Sequence, residues 1–140
     1  MIWTQKPTLD KIQQLCTNTM CDTLGMIFTE IGDDFIKATM PVDARTKQPA
    51  GLLHGGASVA LAESLGSIAS SLCMKDTSTM PVGIEINANH LKSAKSGLVT
   101  GKVFPIRIGA TMHVWNIEIH NEHEELLCVS RLTVMIVPRK

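Results

Sequence analysis

The sequence predicts an α+β fold, an antiparallel β-sheet accompanied by one long helix, and three observations carry that expectation. The run from Leu52 to Leu72, LLHGGASVALAESLGSIASSL, is apolar or small apart from His54 and Glu63, and is long enough for a buried helix. Most of the strand-like segments follow it in succession, with turn-like connections. No helical pattern separates them, so the crossovers of a parallel, doubly wound sheet are missing.

In chain order, Pro7-Thr8 followed by Leu9, Ile12, Leu15 and Cys16 predicts a short amphipathic helix with Thr8 as N-cap. Gly25–Ile31 and Phe35–Met40 read as strands flanking the hairpin turn Gly32-Asp33-Asp34. Pro41 to Gly51 is a loop, and the long helix follows with Ala57, Leu61, Leu65, Ile68 and Leu72 as its core stripe. Asp76–Pro81 reads as a loop. Val82, Ile84, Ile86 and Ala88 then alternate with Glu85, Asn87 and Asn89, the period of a strand with one buried face. Leu98–Ile108, Met112–His120 and Leu126–Val137 complete roughly six strands, and hairpins around Gly109 and over Asn121–Glu125 suit a meander.

The 140 residues fit one domain, 1–140. Formal charge balances at zero and no basic stripe interleaves with aromatics, which argues against nucleic-acid binding. The opening residues lack the basic and apolar regions of a secretory signal, so a cytoplasmic location is expected. Five serines, three glycines, His54 and Glu63 argue against Leu52–Leu72 as a membrane span. Cys16, Cys21, Cys73 and Cys128 form no metal-ligand spacing and read as reduced, small buried hydrophobes. His120, Glu122 and His123 fall in the polar stretch NEHEE, which reads as a solvated turn rather than a metal site. No metal or separate cofactor is expected.

Glu63 is the only formally charged side chain in the helical run. A carboxylate in such an element loses solvation and needs a partner or a task, and a raised pKa would make it a better base near neutral pH. The helical neighbours Val59, Ala60, Gly66 and Ser67 leave room for a close approach. Gly66 itself costs about 1 kcal/mol relative to alanine in a helix interior, which suggests tight packing. Gly56-Ala57-Ser58-Val59-Ala60 lacks the final glycine of a nucleophile elbow, and no His-Glu-x-x-His motif is present.

His54-Gly55-Gly56 opening a helix that carries Glu63 resembles the hotdog-fold acyl-CoA thioesterases, in which an antiparallel sheet wraps one long central helix. Met1–Trp3, Ala38–Asp43, Arg45–Pro49, Gly51–Ser58, Leu61–Ser64, Glu85–His90 and Cys128–Thr133 look like one branch of that family, so the likeness spans nearly the whole chain. That branch hydrolyses acyl thioesters in menaquinone and enterobactin biosynthesis. The resemblance implies an aromatic acyl-CoA substrate, with 1,4-dihydroxy-2-naphthoyl-CoA the first candidate. Ala50 stands where members often carry an aromatic residue, which bears on acyl preference. The loop Lys75–Pro81 also departs from the family.

By that resemblance Glu63 is the nucleophile or general base, and the Gly55 N–H polarises the thioester carbonyl. Gln48 positions the carbonyl or water, His54 orients substrate or the Gly55 peptide, and Ser67 supports the carboxylate. Gly83, His90, Leu91, Lys92, Ser93, Arg107, Ile108, Gly109, Ala110, Thr111 and Met112 line the CoA path, with Lys92, Lys95 and Arg107 supplying charge for its phosphates. Each residue also has a plainer role: Glu63 in an intersubunit ion pair, Gly55 as a mere helix start, His54 as a cap, Ser67 as packing, the cations as ordinary surface. A proofreading thioesterase acting on carrier-protein thioesters, a hotdog dehydratase and a non-catalytic acyl-CoA sensor are the alternatives. Helix geometry adds an expectation of its own. Gly55 and Glu63 are separated by roughly 12 Å along one helix axis, too far to share one carbonyl, so a homodimer with shared sites is expected. The resemblance extends this to a dimer of dimers.

Overall fold

The computed structural model describes residues 1–4 and 7–140. Its elements are α1 (Leu9–Leu15), α2 (Met20–Thr23), β1 (Ile27–Ile31), β2 (Ile36–Pro41), α3 (Gly55–Leu72), β3 (Thr79–His90), β4 (Leu98–Ile108), β5 (Met112–His120) and β6 (Leu126–Pro138). All strands pair antiparallel in one sheet of order β1-β2-β4-β5-β6-β3. The side chain of Thr8 caps α1 by accepting from the Lys11 N–H, as its sequence position predicts.

α3 lies across the inner face of the sheet. Its buried positions are Ala57, Ser58, Leu61, Ala62, Leu65, Gly66, Ala69 and Ser70, two adjacent i,i+4 rows of mostly small residues. The predicted stripe is thereby corrected at its C-terminal half, where Ile68 and Leu72 are only half-buried. Small residues win because the backbones approach closely. A Cβ at Gly66 would sit 2.5 Å from Leu132 Cδ2, and one on Gly101 of β4 would sit 2.6 Å from Leu65 Cδ1. Leu61, Leu65, Trp115, Ile117, Ile119, Leu132 and Val134 fill the space between helix and sheet. Each large side chain buried there contributes about 1.5–3 kcal/mol.

The simple meander is also corrected. β4, β5 and β6 follow one another by hairpins, but β3 pairs with β6 at the far edge. The segment after His90 turns away from the sheet, where the Leu91 N–H donates to the Leu127 carbonyl and the Ala94 carbonyl accepts from Leu53. β3 begins at Thr79, inside the stretch read as a loop, because an edge strand tolerates Pro81. Its expected alternation fails as well. A register shift between Gly83 and Glu85 leaves Val82 and Ile84 exposed, while Ile86 and Ala88 stay half-buried.

Ser70, His113 and Trp115 form a buried polar knot at the C-terminal half of α3. The Trp115 Nε1–H donates to Ser70 Oγ at 2.7 Å, and His113 Nδ1 lies 3.1 Å from the same oxygen. Burial pushes the His113 imidazole below its usual range, opposed by the backbone of Gly109. A depressed folded pKa means the unfolded chain takes up the proton first as pH falls. Stability should therefore be flat above the unfolded value of about 6.5 and decline below it. Urea titrations from pH 8 to pH 5 check this, and His113→Gln should flatten the decline.

Candidate active site

His54 precedes α3 in an extended conformation, and its Nδ1 accepts the Gly56 N–H at 2.8 Å. Its carbonyl accepts from Ala57 and Ser58. The observed role of His54 is thus capping, and the predicted helix start at Leu52 moves to Gly55. Among the described residues the Gly55 N–H has no acceptor, and it sits at the positive end of an 18-residue helix. A free donor there suits an oxygen that gains negative charge. The space over Gly55 is occupied by His90, whose Nε2 would lie 2.8 Å from an added Cβ.

Gln48 approaches this helix start through the loop, where its N–H donates to Leu52 and Lys47 bridges to Leu53. Its side-chain oxygen accepts from the Ala50 N–H. A cleft of about 380 Å³ collects Gln48, Gly55, His90, Leu91, Lys92 and Ser93, together with Leu52, Leu53, Ser58, Ala94 and Leu127. Of the last five, Ser58 entered the sequence reading only as a rejected nucleophile, and the others were not singled out as site residues. The apolar ones carry no signal beyond hydrophobicity, whereas Ser58 was legible as a polar residue on the buried face.

Glu63 is elsewhere. Two turns along α3 it faces out of the chain, and a Cβ on Gly83 of β3 would lie 3.0 Å from its Oε1. The expectation of a buried carboxylate is corrected: Glu63 is exposed, on a stretch of α3 that among the described residues is flanked by Gly83 of β3 and by the ends of α1 and α2. A shallow cleft of about 290 Å³ groups Glu63, Ser64, Ser67 and Ile68 with Leu15, Cys16, Thr19 and Cys21. Leu15 is exposed there, although the periodicity placed it on the buried face of α1. Ser67 lines the cleft without bonding the carboxylate, and its carbonyl accepts from the Ser71 hydroxyl.

Ile108, Gly109 and Ala110 line a third hollow of about 450 Å³ beside the end of α3. The hairpin there is closed by the Gly109 N–H on the Met112 carbonyl, and Thr111 accepts from Ile136. Arg107 is exposed and has no carboxylate partner among the described residues. Lys92 is exposed but ion-paired with Glu125, so part of its charge is already answered. One chain therefore separates the predicted residues into three places and brings no carboxylate to the free Gly55 amide. Among the described residues no cluster of three or more His, Cys, Asp or Glu could hold a metal ion, and no helix is long and apolar enough to cross a membrane.

Comparison with known proteins matches residues 50–128 to the family described as Thioesterase superfamily. The chain is 51% identical over 137 residues to 1,4-dihydroxy-2-naphthoyl-CoA hydrolase of Escherichia coli strain K12, covering 98% of this chain and 100% of that protein. It is 44% identical over 137 residues to the proofreading thioesterase EntH of Cronobacter sakazakii, covering 98% and 99%. The crystal structure of a thioesterase from Haemophilus influenzae superposes with a TM-score of 0.95 at 48% identity, covering 99% of this chain and 96% of that one. These likenesses show that the chain belongs to the thioesterase superfamily, a thioester hydrolase with the hotdog fold.

Proposed function

We propose that the protein hydrolyses an aromatic acyl-CoA thioester to free acid and CoA at sites shared by two chains, with 1,4-dihydroxy-2-naphthoyl-CoA the first substrate to test. Glu63 attacks the thioester carbonyl or activates the water that does. The Gly55 N–H donates to the developing oxyanion, and Gln48 orients the carbonyl. The observation that carries this reading is the separation of Glu63 from a free Gly55 amide within one chain.

The edge of the sheet offers the way to join them. β3 is a 12-residue edge strand bearing exposed Met80, Val82 and Ile84, a template for pairing with another strand. Within a chain, Gly83 marks the position of Glu63 and His90 marks that of Gly55. Because the register shift between Gly83 and Glu85 takes Ile84 out of the count, a twofold axis at Asn87 would set His90 of the partner subunit opposite Gly83. The partner's Gly55 would then stand beside Glu63, and two such sites would form per dimer.

The acyl assignment rests on likeness to the Escherichia coli hydrolase. Likeness to the Cronobacter proofreading thioesterase supports the second reading, a carrier-protein thioester. Release of thiol measured on aromatic, aliphatic and enoyl CoA thioesters, and on aroyl carrier protein, separates the two. The first reading expects the highest kcat/KM for the aromatic CoA thioester, and preference for the carrier protein would replace it.

Phosphate binding gives a further expected result. Arg107→Ala should raise KM, weaken its salt dependence and largely spare kcat. Lys92→Ala should do so less, because Glu125 already pairs with that ammonium. Initial rates at two ionic strengths check both, and an unchanged KM returns the residue to ordinary surface.

A further inference from the structure

We propose that Cys16 and Cys21 form a redox-active dithiol, which hydrogen peroxide converts to a disulfide in the wall of the Glu63 cleft. The proposal does not depend on which thioester the enzyme hydrolyses. Cys16 ends α1, and its carbonyl accepts both the N–H and the hydroxyl of Thr19, at 3.1 and 2.6 Å. α2 follows that turn, and the Cys16 and Cys21 side chains lie close enough to interact directly. Both line the same cleft, Cys16 buried and Cys21 half-exposed. The Cys21 thiol donates to Ser64 Oγ at 3.3 Å, one residue from Glu63.

Accessibility and charge divide the roles. Burial, and then the neighbouring Cys21, push the Cys16 thiol up to about 12, so Cys16 waits protonated beneath its neighbour. Burial likewise raises Cys73, to about 11, and Cys128, so these thiols are poor competitors for oxidant. The Cys21 thiolate attacks peroxide, the O–O bond breaks, and Cys21 becomes a sulfenic acid as hydroxide leaves. Cys16 then gives up its proton and attacks that sulfur, the S–S bond forms and water departs. Two thiols and one peroxide yield one disulfide and two waters. With its hydrogen gone, Cys21 can no longer donate to Ser64, and the cleft wall loses that tie to α3.

Trypsin isolates the pair cleanly, because cleavage after Lys11 and Lys37 puts both cysteines in one peptide, apart from Cys73 and Cys128. The intact protein is titrated with hydrogen peroxide, alkylated and digested. The expected result is that the peptide Ile12–Lys37 loses two hydrogen atoms and both alkylation sites together, roughly tenfold faster than Cys73 or Cys128 reacts. A dithiol reductant restores both sites. In Cys16→Ser, dimedone should trap Cys21 as the sulfenic acid. Two alkylatable thiols persisting in that peptide while Cys73 or Cys128 oxidises would overturn the proposal, as would a Cys21 disulfide between chains.

Discussion

Glu63→Gln is expected to lower thioester turnover by roughly 10²–10⁴, the range for losing a positioned base. The substitution keeps shape but exchanges one acceptor oxygen for an NH2 donor and removes the charge and basicity that the chemistry needs. Its effect should fall on kcat and kcat/KM alike. Glu63 is exposed in the chain and makes no ion pair among the described residues, so the fold of one chain does not depend on its charge. Stability should stay within about 0.5 kcal/mol of the parent, as for other surface substitutions. Steady-state kinetics beside a thermal melt make the comparison. A loss under tenfold in a well-folded variant would return Glu63 to a structural role.

The parts of the fold legible in the sequence are those decided by local periodicity. β4 and β5 have the predicted bounds, Leu98–Ile108 and Met112–His120, because an inward face alternates with a wetter outer one along all of β5 and along β4 as far as Phe104. What was lost is decided between elements. The four-residue helix α2 is too short to show a period. β3 at the far edge follows from the path of the chain after His90, which no local pattern encodes. The small-residue face of α3 reflects close approach of Gly66 to Leu132 and of Leu65 to Gly101.

The candidate site divides in the same way. The free amide of Gly55 at a helix start was readable from the His54-Gly55-Gly56 turn, and the cap formed by His54 was the plainer of its two readings. The exposure of Glu63 was not readable, because hydrophobic neighbours in sequence do not show which face of α3 lacks a cover. Cys16, Cys21 and Thr19 reached the Glu63 cleft only through the turn after α1.

The claim that one reaction needs two chains rests on geometry that Glu63→Gln cannot test. Along α3, Gly55 and Glu63 stand roughly 12 Å apart at 1.5 Å per residue, whereas the proposed reaction needs both within about 3 Å of one carbonyl. Gln48 shares a cleft with Gly55, and Glu63 lines a different one. Glu63→Ala and Gln48→Ala should therefore be inactive separately yet complement each other. In a mixed dimer one site collects both defects and the other collects neither. After random reassortment of equal amounts, roughly a quarter of wild-type sites should be restored. The decisive measurement is the thioesterase rate of that mixture, with subunit exchange verified by native mass spectrometry. Recovery near a quarter is predicted, and no recovery despite complete exchange would place the whole site within one chain.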